Sequence, residues 1–236
     1  MIEGYTTLDE YRFKRKYTTN VHYRGFVDVL IRQNPALFKQ AYLPRQVNNV
    51  YFDTPGLDCF FDNLFGLGNR WKARIRWYGT VEQFVQSPVL EFKIKKGHVN
   101  TKRSWILSPL DFTGNLKDPH FFRNIFLNSD LPDDVRSRML GLQAVLLNSY
   151  NRKYYVSGNK KIRLTVDSNL QYRDVRSYIH HSKQVFEEKE KLVIELKYPK
   201  SMEEDAISVS NLFPFRLGKN SKFVSGMAFI RPGVAD

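Results

Sequence analysis

Four segments of the chain alternate strictly between apolar and polar side chains. In residues 70–78, Trp71, Ala73, Ile75 and Trp77 fall on one parity, and Lys72, Arg74, Arg76 and Tyr78 on the other. Leu90, Phe92 and Ile94 oppose Glu91, Lys93 and Lys95. Ile162, Leu164 and Val166 oppose Arg163, Thr165 and Asp167. Leu192, Ile194 and Leu196 oppose Val193, Glu195 and Lys197. Successive side chains of a strand point to opposite faces, so each segment predicts a strand with one dry face. Weaker patterns predict strands over 11–18, 47–53, 102–107, 147–156 and 222–229. Helices are expected over 21–32, 118–127, 133–140 and 202–212. The last is preceded by Ser201 with Glu204 three residues on, the spacing of a capping box. Gly66-Leu67-Gly68-Asn69, Lys96-Gly97 and Ser157-Gly158-Asn159 carry turn chemistry between these elements. The fold class is α+β, a large antiparallel sheet with helices on its apolar face. No repeat, low-complexity tract or Pro/Gly/Ser-rich linker divides the chain, so residues 1–236 are expected to form one domain.

Composition sharpens this picture. A chain of 236 residues buries a sizeable core without a disulfide or metal staple. Aromatic residues make up 14% of it, which excludes a disordered basic tail. The single cysteine, Cys59, excludes an intramolecular disulfide and a cysteine-based zinc cluster. No apolar run is long enough for a membrane helix, and residues 1–5 lack an apolar signal core, so a soluble cytoplasmic protein is expected. Lys and Arg total 37 against 24 Asp and Glu, a formal net charge of +13. Charge of that size predicts a polyanionic partner.

The polar parity of the strands carries much of that charge. A charged strand face is ordinarily just solvated. Here the cations recur on four strands and in same-face sets such as Lys72, Arg74 and Arg76. Neighbours on one strand face sit about 7 Å apart. At an effective dielectric of ~20 each pair repels by about 2 kcal/mol, a cost that a bound anion relieves. Carboxylates interrupt the pattern, Glu91 two residues before Lys93 and Glu195 two before Lys197. A plain nucleic-acid surface has no use for acids among its phosphate contacts. A site holding a divalent cation and phosphates together needs both signs.

Familiar catalytic signatures are missing. The sequence has neither a G-x-x-x-x-G-K-[ST] phosphate loop nor a strand–G-x-G-x-x-G–helix fingerprint. His180 and His181 are adjacent, a poor arrangement for two ligands of one ion. Neither a nucleophile elbow nor a Cys/His signature is present. Trp71, Trp77 and Phe92 could stack on bases, but they fall on the apolar parity, where core packing is the expected role.

Further strings, taken in order, resemble a known family. They are Arg12-Phe13-Lys14-Arg15-Lys16-Tyr17, Val50-Tyr51-Phe52-Asp53-Thr54-Pro55, Arg74-Ile75-Arg76-Trp77-Tyr78-Gly79 and Leu90-Glu91-Phe92-Lys93. Then follow Tyr150-Asn151-Arg152, Ile162-Arg163-Leu164-Thr165-Val166-Asp167 and Ile194-Glu195-Leu196-Lys197-Tyr198-Pro199. Lys219-Asn220-Ser221-Lys222-Phe223 and Gly226-Met227 close the series. In order and spacing they are similar to the catalytic domain of the vacuolar transporter chaperone (VTC) family, within the triphosphate tunnel metalloenzymes. The resemblance implies a closed eight-stranded antiparallel β-barrel, a tunnel with charged side chains inward and helices on its outer face. It also implies transfer of the ATP γ-phosphate onto a growing polyphosphate chain, with Mn²⁺ or Mg²⁺.

Carried over residue by residue, the resemblance makes Lys16, Arg74, Arg76, Lys93, Arg152, Arg163, Lys219 and Lys222 phosphate ligands. Lys14, Lys72, Lys95 and Lys197 share their parity as further phosphate-binding candidates. Glu195 takes the metal. Glu91 is a second metal candidate, with a salt bridge to an adjacent-strand Arg as its alternative. Hydrolytic and cyclase members of the superfamily carry Glu-x-Glu-x-Lys on the first strand. Here the run reads Lys14-Arg15-Lys16 after Arg12-Phe13, keeping the final Lys and lacking both acids. More cations suit retention of a long polyanion, and more acids suit activation of water. The departure favours a polymerase over a metal-dependent triphosphatase acting on tripolyphosphate or on a nucleoside or RNA 5′-triphosphate. A non-enzymatic polyanion-binding module is a third reading. Expected partners are ATP and polyphosphate or other triphosphates, with nucleic acid only as a 5′-triphosphate end.

Overall fold

The computed structural model describes residues 12–97, 99–116, 118–176 and 184–233. The chain begins with β1 (Arg12–Asn20), α1 (Arg24–Gln33), β2 (Lys39–Asp53), α2 (Asp58–Leu64) and β3 (Asn69–Tyr78). It continues through β4 (Phe84–Val85), β5 (Val89–Lys96), β6 (Val99–Ile106), β7 (Leu110–Asp111), α3 (Pro119–Asn128) and α4 (Asp133–Leu140). The last part holds β8 (Gln143–Val156), β9 (Arg163–Asp174), β10 (Val185–Glu188), β11 (Lys191–Pro199), α5 (Glu203–Asn211) and α6 (Lys222–Ile230). The main sheet runs in the order β1-β11-β9-β8-β2-β3-β5-β6, with β10 beside β9, and all its pairs are antiparallel. Strands β4 and β7 form a separate small ladder.

The apolar parities fill two clusters on the convex face. Ile75, Trp77, Leu90 and Phe92 pack with Phe122, Phe126, Val135 and Met139 of α3 and α4. Ile162, Leu164, Ile194 and Leu196 pack with Val27 and Ile31 of α1 and with Ala206 and Val209 of α5. Trp77 stacks on Phe112 at 4.0 Å, and Phe92 meets Trp71 and Trp105, so these rings serve the core as expected. A third cluster lies on the opposite face. There Tyr51, Leu146, Leu170, Tyr172 and Val193 meet Cys59 and Phe60 of α2 and Phe223 and Met227 of α6.

That third cluster corrects the expectation for 222–229. The segment is a helix, not a strand. Phe223, Gly226 and Met227 are buried at helical spacing, and Ser221 Oγ caps the helix by accepting from Val224 N at 3.3 Å. Helices therefore cover both faces of the sheet rather than the outer one alone. Helix α2 escaped the sequence pattern because it is only seven residues long. The buried Asp53 carboxylate starts it, accepting from the amides of Cys59 and Phe60 at 2.8 Å each. The capping box at Ser201 does not form, because Lys200–Met202 makes a tight 3-10 turn and Met202 takes the N-cap position. Strand β2 begins at Lys39, well before 47, because its first part is exposed on both parities and shows no alternation. Tyr11 and the pair His180-His181 lie outside the described residues.

Strands β1 and β6 end the path, and no β1–β6 ladder joins them among the described residues. The expected closure is thus absent as backbone pairing. At this seam a cavity of about 210 Å³ is lined by Lys14 and Lys16 of β1, Lys93 and Lys95 of β5, and Asn100, Thr101 and Lys102 of β6. Like charges facing across the seam oppose a tight edge-to-edge approach.

Candidate active site

Alternation on β3 turns Lys72, Arg74 and Arg76 to the concave face, while Ala73, Ile75 and Trp77 enter the core. The other strands do the same. A cavity of about 130 Å³ results, lined by Lys16, Lys72, Arg74, Arg76, Lys93, Arg152, Lys197 and Lys222 together with Glu195, Tyr51, Tyr150, Asn220 and Ser221. Six strands and the start of α6 contribute to it.

Three carboxylates hold this crowd of cations in place. Glu91 lies opposite Arg74 in the β3–β5 register. It accepts from Arg74 Nε at 2.7 Å, and Lys102 Nζ is 2.5 Å from its other oxygen, with Arg76 Nη1 at 3.6 Å. Burial favours the neutral acid, but Arg74, Arg76 and Lys102 outweigh it and hold Glu91 well below the usual carboxylate range. The salt-bridge alternative for Glu91 is therefore present in the geometry, with both oxygens engaged. Asp167 accepts from Arg152 Nε at 2.6 Å, from Arg152 Nη2 at 2.7 Å and from Lys222 Nζ at 2.6 Å. Burial opposes its charge, but these two cations bring its pKa down to about 2.

Glu195 is held more loosely. Its oxygens lie 3.8 Å from Lys16 Nζ and 3.5 Å from Lys197 Nζ. Despite burial, Lys197, Lys16, Arg152 and Lys93 keep it ionised, well below its ordinary pKa. Such oxygens are open to a hard divalent cation. Among the described residues no group of three or more His, Cys, Asp or Glu could hold a metal ion. A cation here would thus be held by Glu195 and by phosphate oxygens of the substrate, a mode that suits Mg²⁺ or Mn²⁺ and fits the donor set.

The lysines show the strain of the excess charge. Burial, then Lys16, Arg70 and Arg74, lowers Lys72 to about 7. Lys93, beside Arg74 and desolvated, is pushed well below its ordinary value, and burial lowers Lys16. Glu195 supports the charged form of Lys197, but burial, Arg152 and Lys14 outweigh it and bring the pKa down. An incoming polyanion would reverse these penalties.

Of the sequence candidates, the cavity gathers Lys16, Lys72, Arg74, Arg76, Lys93, Arg152, Lys197, Lys222 and Glu195. Lys14 and Lys95 line the adjoining seam. Arg163 opposite Lys197, and Lys219 ahead of α6, are exposed and line neither cavity. Sequence reasoning did not single out Tyr51, Tyr150, Lys102, Asn49 or Ser221. Tyr51 Oη accepts from Arg74 Nη1 at 3.3 Å, and Asn49 Oδ1 accepts from Arg76 Nε at 2.9 Å. Burial disfavours the Tyr150 phenolate, yet Arg152 and Arg76 bring the phenol below its ordinary pKa. Parity on β2, where Asn49 and Tyr51 alternate with Val50 and Phe52, carried the available signal for two of these residues. Among the described residues no helix is long and apolar enough to cross a membrane.

Two solved structures share this fold. A candidate adenylate cyclase from Bacillus halodurans is 12% identical, covering 90% of this chain and 94% of that one, with a TM-score of 0.54. A candidate adenylate cyclase from Vibrio parahaemolyticus is 10% identical, covering 92% of this chain and 98% of that one, with a TM-score of 0.51. At such identities the likeness speaks for the fold alone. The sequence goes further: the VTC domain matches residues 11–231, from the first strand to the end of α6. With every strand of the cationic cavity inside that match, the chain belongs to the VTC-domain family.

Proposed function

We propose that this protein is a polyphosphate polymerase, with residues 1–236 as one tunnel-fold catalytic domain. In this reading the eight strands from β1 to β6 wrap a tunnel that binds ATP and a growing polyphosphate chain. The observation that carries it is the charge of the cavity: eight Lys and Arg side chains face one loosely held carboxylate, Glu195. A terminal phosphate oxygen of the chain attacks the γ-phosphorus of ATP. The new P–O bond forms as the bond to the β-bridging oxygen breaks, and ADP leaves. The protein needs no nucleophile of its own for this step, so its contribution is positioning and charge stabilisation.

Arg74 and Arg76, locked by Glu91, Tyr51 and Asn49, present fixed guanidinium forks to phosphate oxygens. Arg152 and Lys222, locked by Asp167, face them from β8 and α6. Lys16, Lys72, Lys93 and Lys197 add point charges that follow a sliding polymer. Mn²⁺ or Mg²⁺ held at Glu195 supplies charge neutralisation at the phosphates when bound. Arg163 and Lys219 are assigned to the tunnel ends, where the chain enters or leaves. The test is incubation of γ-labelled ATP with the protein and Mn²⁺, resolved on a gel. Long labelled chains are expected. Free phosphate alone would replace the reading with a triphosphatase, and an unchanged substrate would leave a polyanion-binding module.

A further inference from the structure

Two lysines from different strands reach across the cavity to the turn that starts α6. Lys16 Nζ donates to the Asn220 carbonyl at 2.8 Å. Lys72 Nζ donates to Ser221 Oγ at 2.9 Å. Ser221 is partly exposed and lines the same cavity. A serine hydroxyl in hydrogen-bond contact with a lysine amine, facing a phosphate-binding space, is the constellation of an activated nucleophile. The polymerase reading above assigns Ser221 no role.

We propose that Ser221 is a phosphoacceptor, taking the terminal phosphoryl group of a nucleoside triphosphate bound in the cavity, with Lys72 as its general base. The inference rests on the nucleotide-using reading above. In its neutral form Lys72 Nζ accepts the Ser221 Oγ proton. A bond forms between Oγ and the γ-phosphorus while the bond to the bridging oxygen breaks. The electron pair departs with the nucleoside diphosphate, and Lys72 remains as the ammonium. That ammonium and Lys16 then face the new phosphoserine, the environment that stabilises one.

Lys72 gives up a proton more readily than an ordinary lysine. Burial first, beneath the Phe223 ring 5.9 Å away, and then Lys16 on β1 and Arg70 and Arg74 on β3 disfavour its charge, while Lys93 lies opposite it on β5. The Cys59 thiol from α2 faces it too, but burial pushes that thiol far up, so it stays neutral. An arginine at position 72 would keep a cation there but could not take the proton.

The experiment uses the full chain with γ-labelled ATP and Mn²⁺. Ser221 is read by phosphopeptide mass spectrometry, and polyphosphate is read on a gel from the same tube. Label at Ser221 is expected in the wild type and in Ser221→Thr, and none at position 221 in Ser221→Ala. Lys72→Arg should slow labelling about 100-fold, and at saturating ATP the wild-type rate should rise with pH above about 7, since the bound triphosphate favours the ammonium form of Lys72. Polymer without label at Ser221 would overturn this inference and leave the polymerase reading standing. Label at Ser221 without polymer would do the reverse, and neither product would remove both. Equal labelling rates in Lys72→Arg and wild type would remove Lys72 as the base.

Discussion

Lys222 Nζ lies 2.6 Å from Asp167 Oδ2, and Arg152 grips the same carboxylate through two nitrogens. The pair ties the first turn of α6 to the middle of β9. Lys222 is therefore a fixed cation, pre-placed over the Tyr150 ring at 4.5 Å, rather than a swinging arm. Asp167 counters one of its two partners, so a net positive charge is left to face the cavity.

Loss of that charge sets the first expectation. Lys222→Ala should slow chain extension by about tenfold or more, since one charge-assisted contact is worth roughly 1.5–3 kcal/mol. Arg152 still satisfies Asp167, so the fold should persist. Gel-resolved extension rates alongside circular dichroism provide the check. A folded variant that extends chains at the normal rate would take Lys222 out of the mechanism.

How much of this was legible in the sequence depends on period. Where one face is dry and the other charged, as in residues 70–78 and 192–197, the two-residue repeat marked both the strand and the inward cations. Where both faces are covered, the pattern broke down. Helix α6 lies against Tyr51 and Tyr172 on the concave side, and its apolar residues read as a strand. Contacts that cross the sheet, such as Lys72 to Ser221 or Lys153 to Asp28, join residues far apart in the chain and leave no local signal. Glu91 and Glu195 illustrate the same limit. They have similar sequence settings, each two residues before a lysine. Only the register separates them, placing Arg74 directly opposite Glu91 and Lys16 and Thr165 opposite Glu195.

Glu195→Gln should abolish metal-dependent turnover while leaving polyphosphate binding largely intact. The amide keeps the size but loses the charge that attracts a hard cation. It also releases Lys16 and Lys197 from their only carboxylate within ion-pair range among the described residues, which favours rather than weakens anion binding. Titration calorimetry with polyphosphate and a turnover assay across Mn²⁺ concentrations separate the two effects. Parallel loss of binding and turnover would make Glu195 a structural partner of the lysines.

Lys72 makes anion affinity pH-dependent. Its pKa is lowered in the fold to about 7 from an ordinary 10.5. The native state therefore sheds a proton between those values while the unfolded chain keeps it. By linkage, this group's contribution to stability is least favourable below pH 7 and improves as pH rises toward 10.5. Anion binding runs the other way, since the neutral amine attracts no phosphate. Tripolyphosphate affinity should fall from about pH 6.5 to about pH 8.5, and fall less in Lys72→Arg, which stays charged. Identical pH profiles for the two proteins would assign the dependence to other lysines of the cavity.

The last expectation concerns a residue that touches no phosphate. Gly226 packs face to face with β8 and β9: a Cβ there would come within 2.5 Å of Tyr172 Cδ1 and 2.6 Å of Leu146 Cδ2. Both neighbours are fully buried, so neither ring nor methyl can swing aside. Gly226→Ala must therefore push α6 outward, and overpacking of this kind costs typically 1–3 kcal/mol. The shift would be felt one turn earlier, where Ser221 meets Lys72, Asn220 meets Lys16 and Lys222 meets Asp167. The variant should melt at a lower temperature and also bind tripolyphosphate several-fold more weakly, although position 226 lies outside the cavity. Thermal denaturation with and without tripolyphosphate reads both effects. A lower melting temperature with unchanged affinity would mean that α6 holds the core but does not position the cations, and would separate the helix from the site.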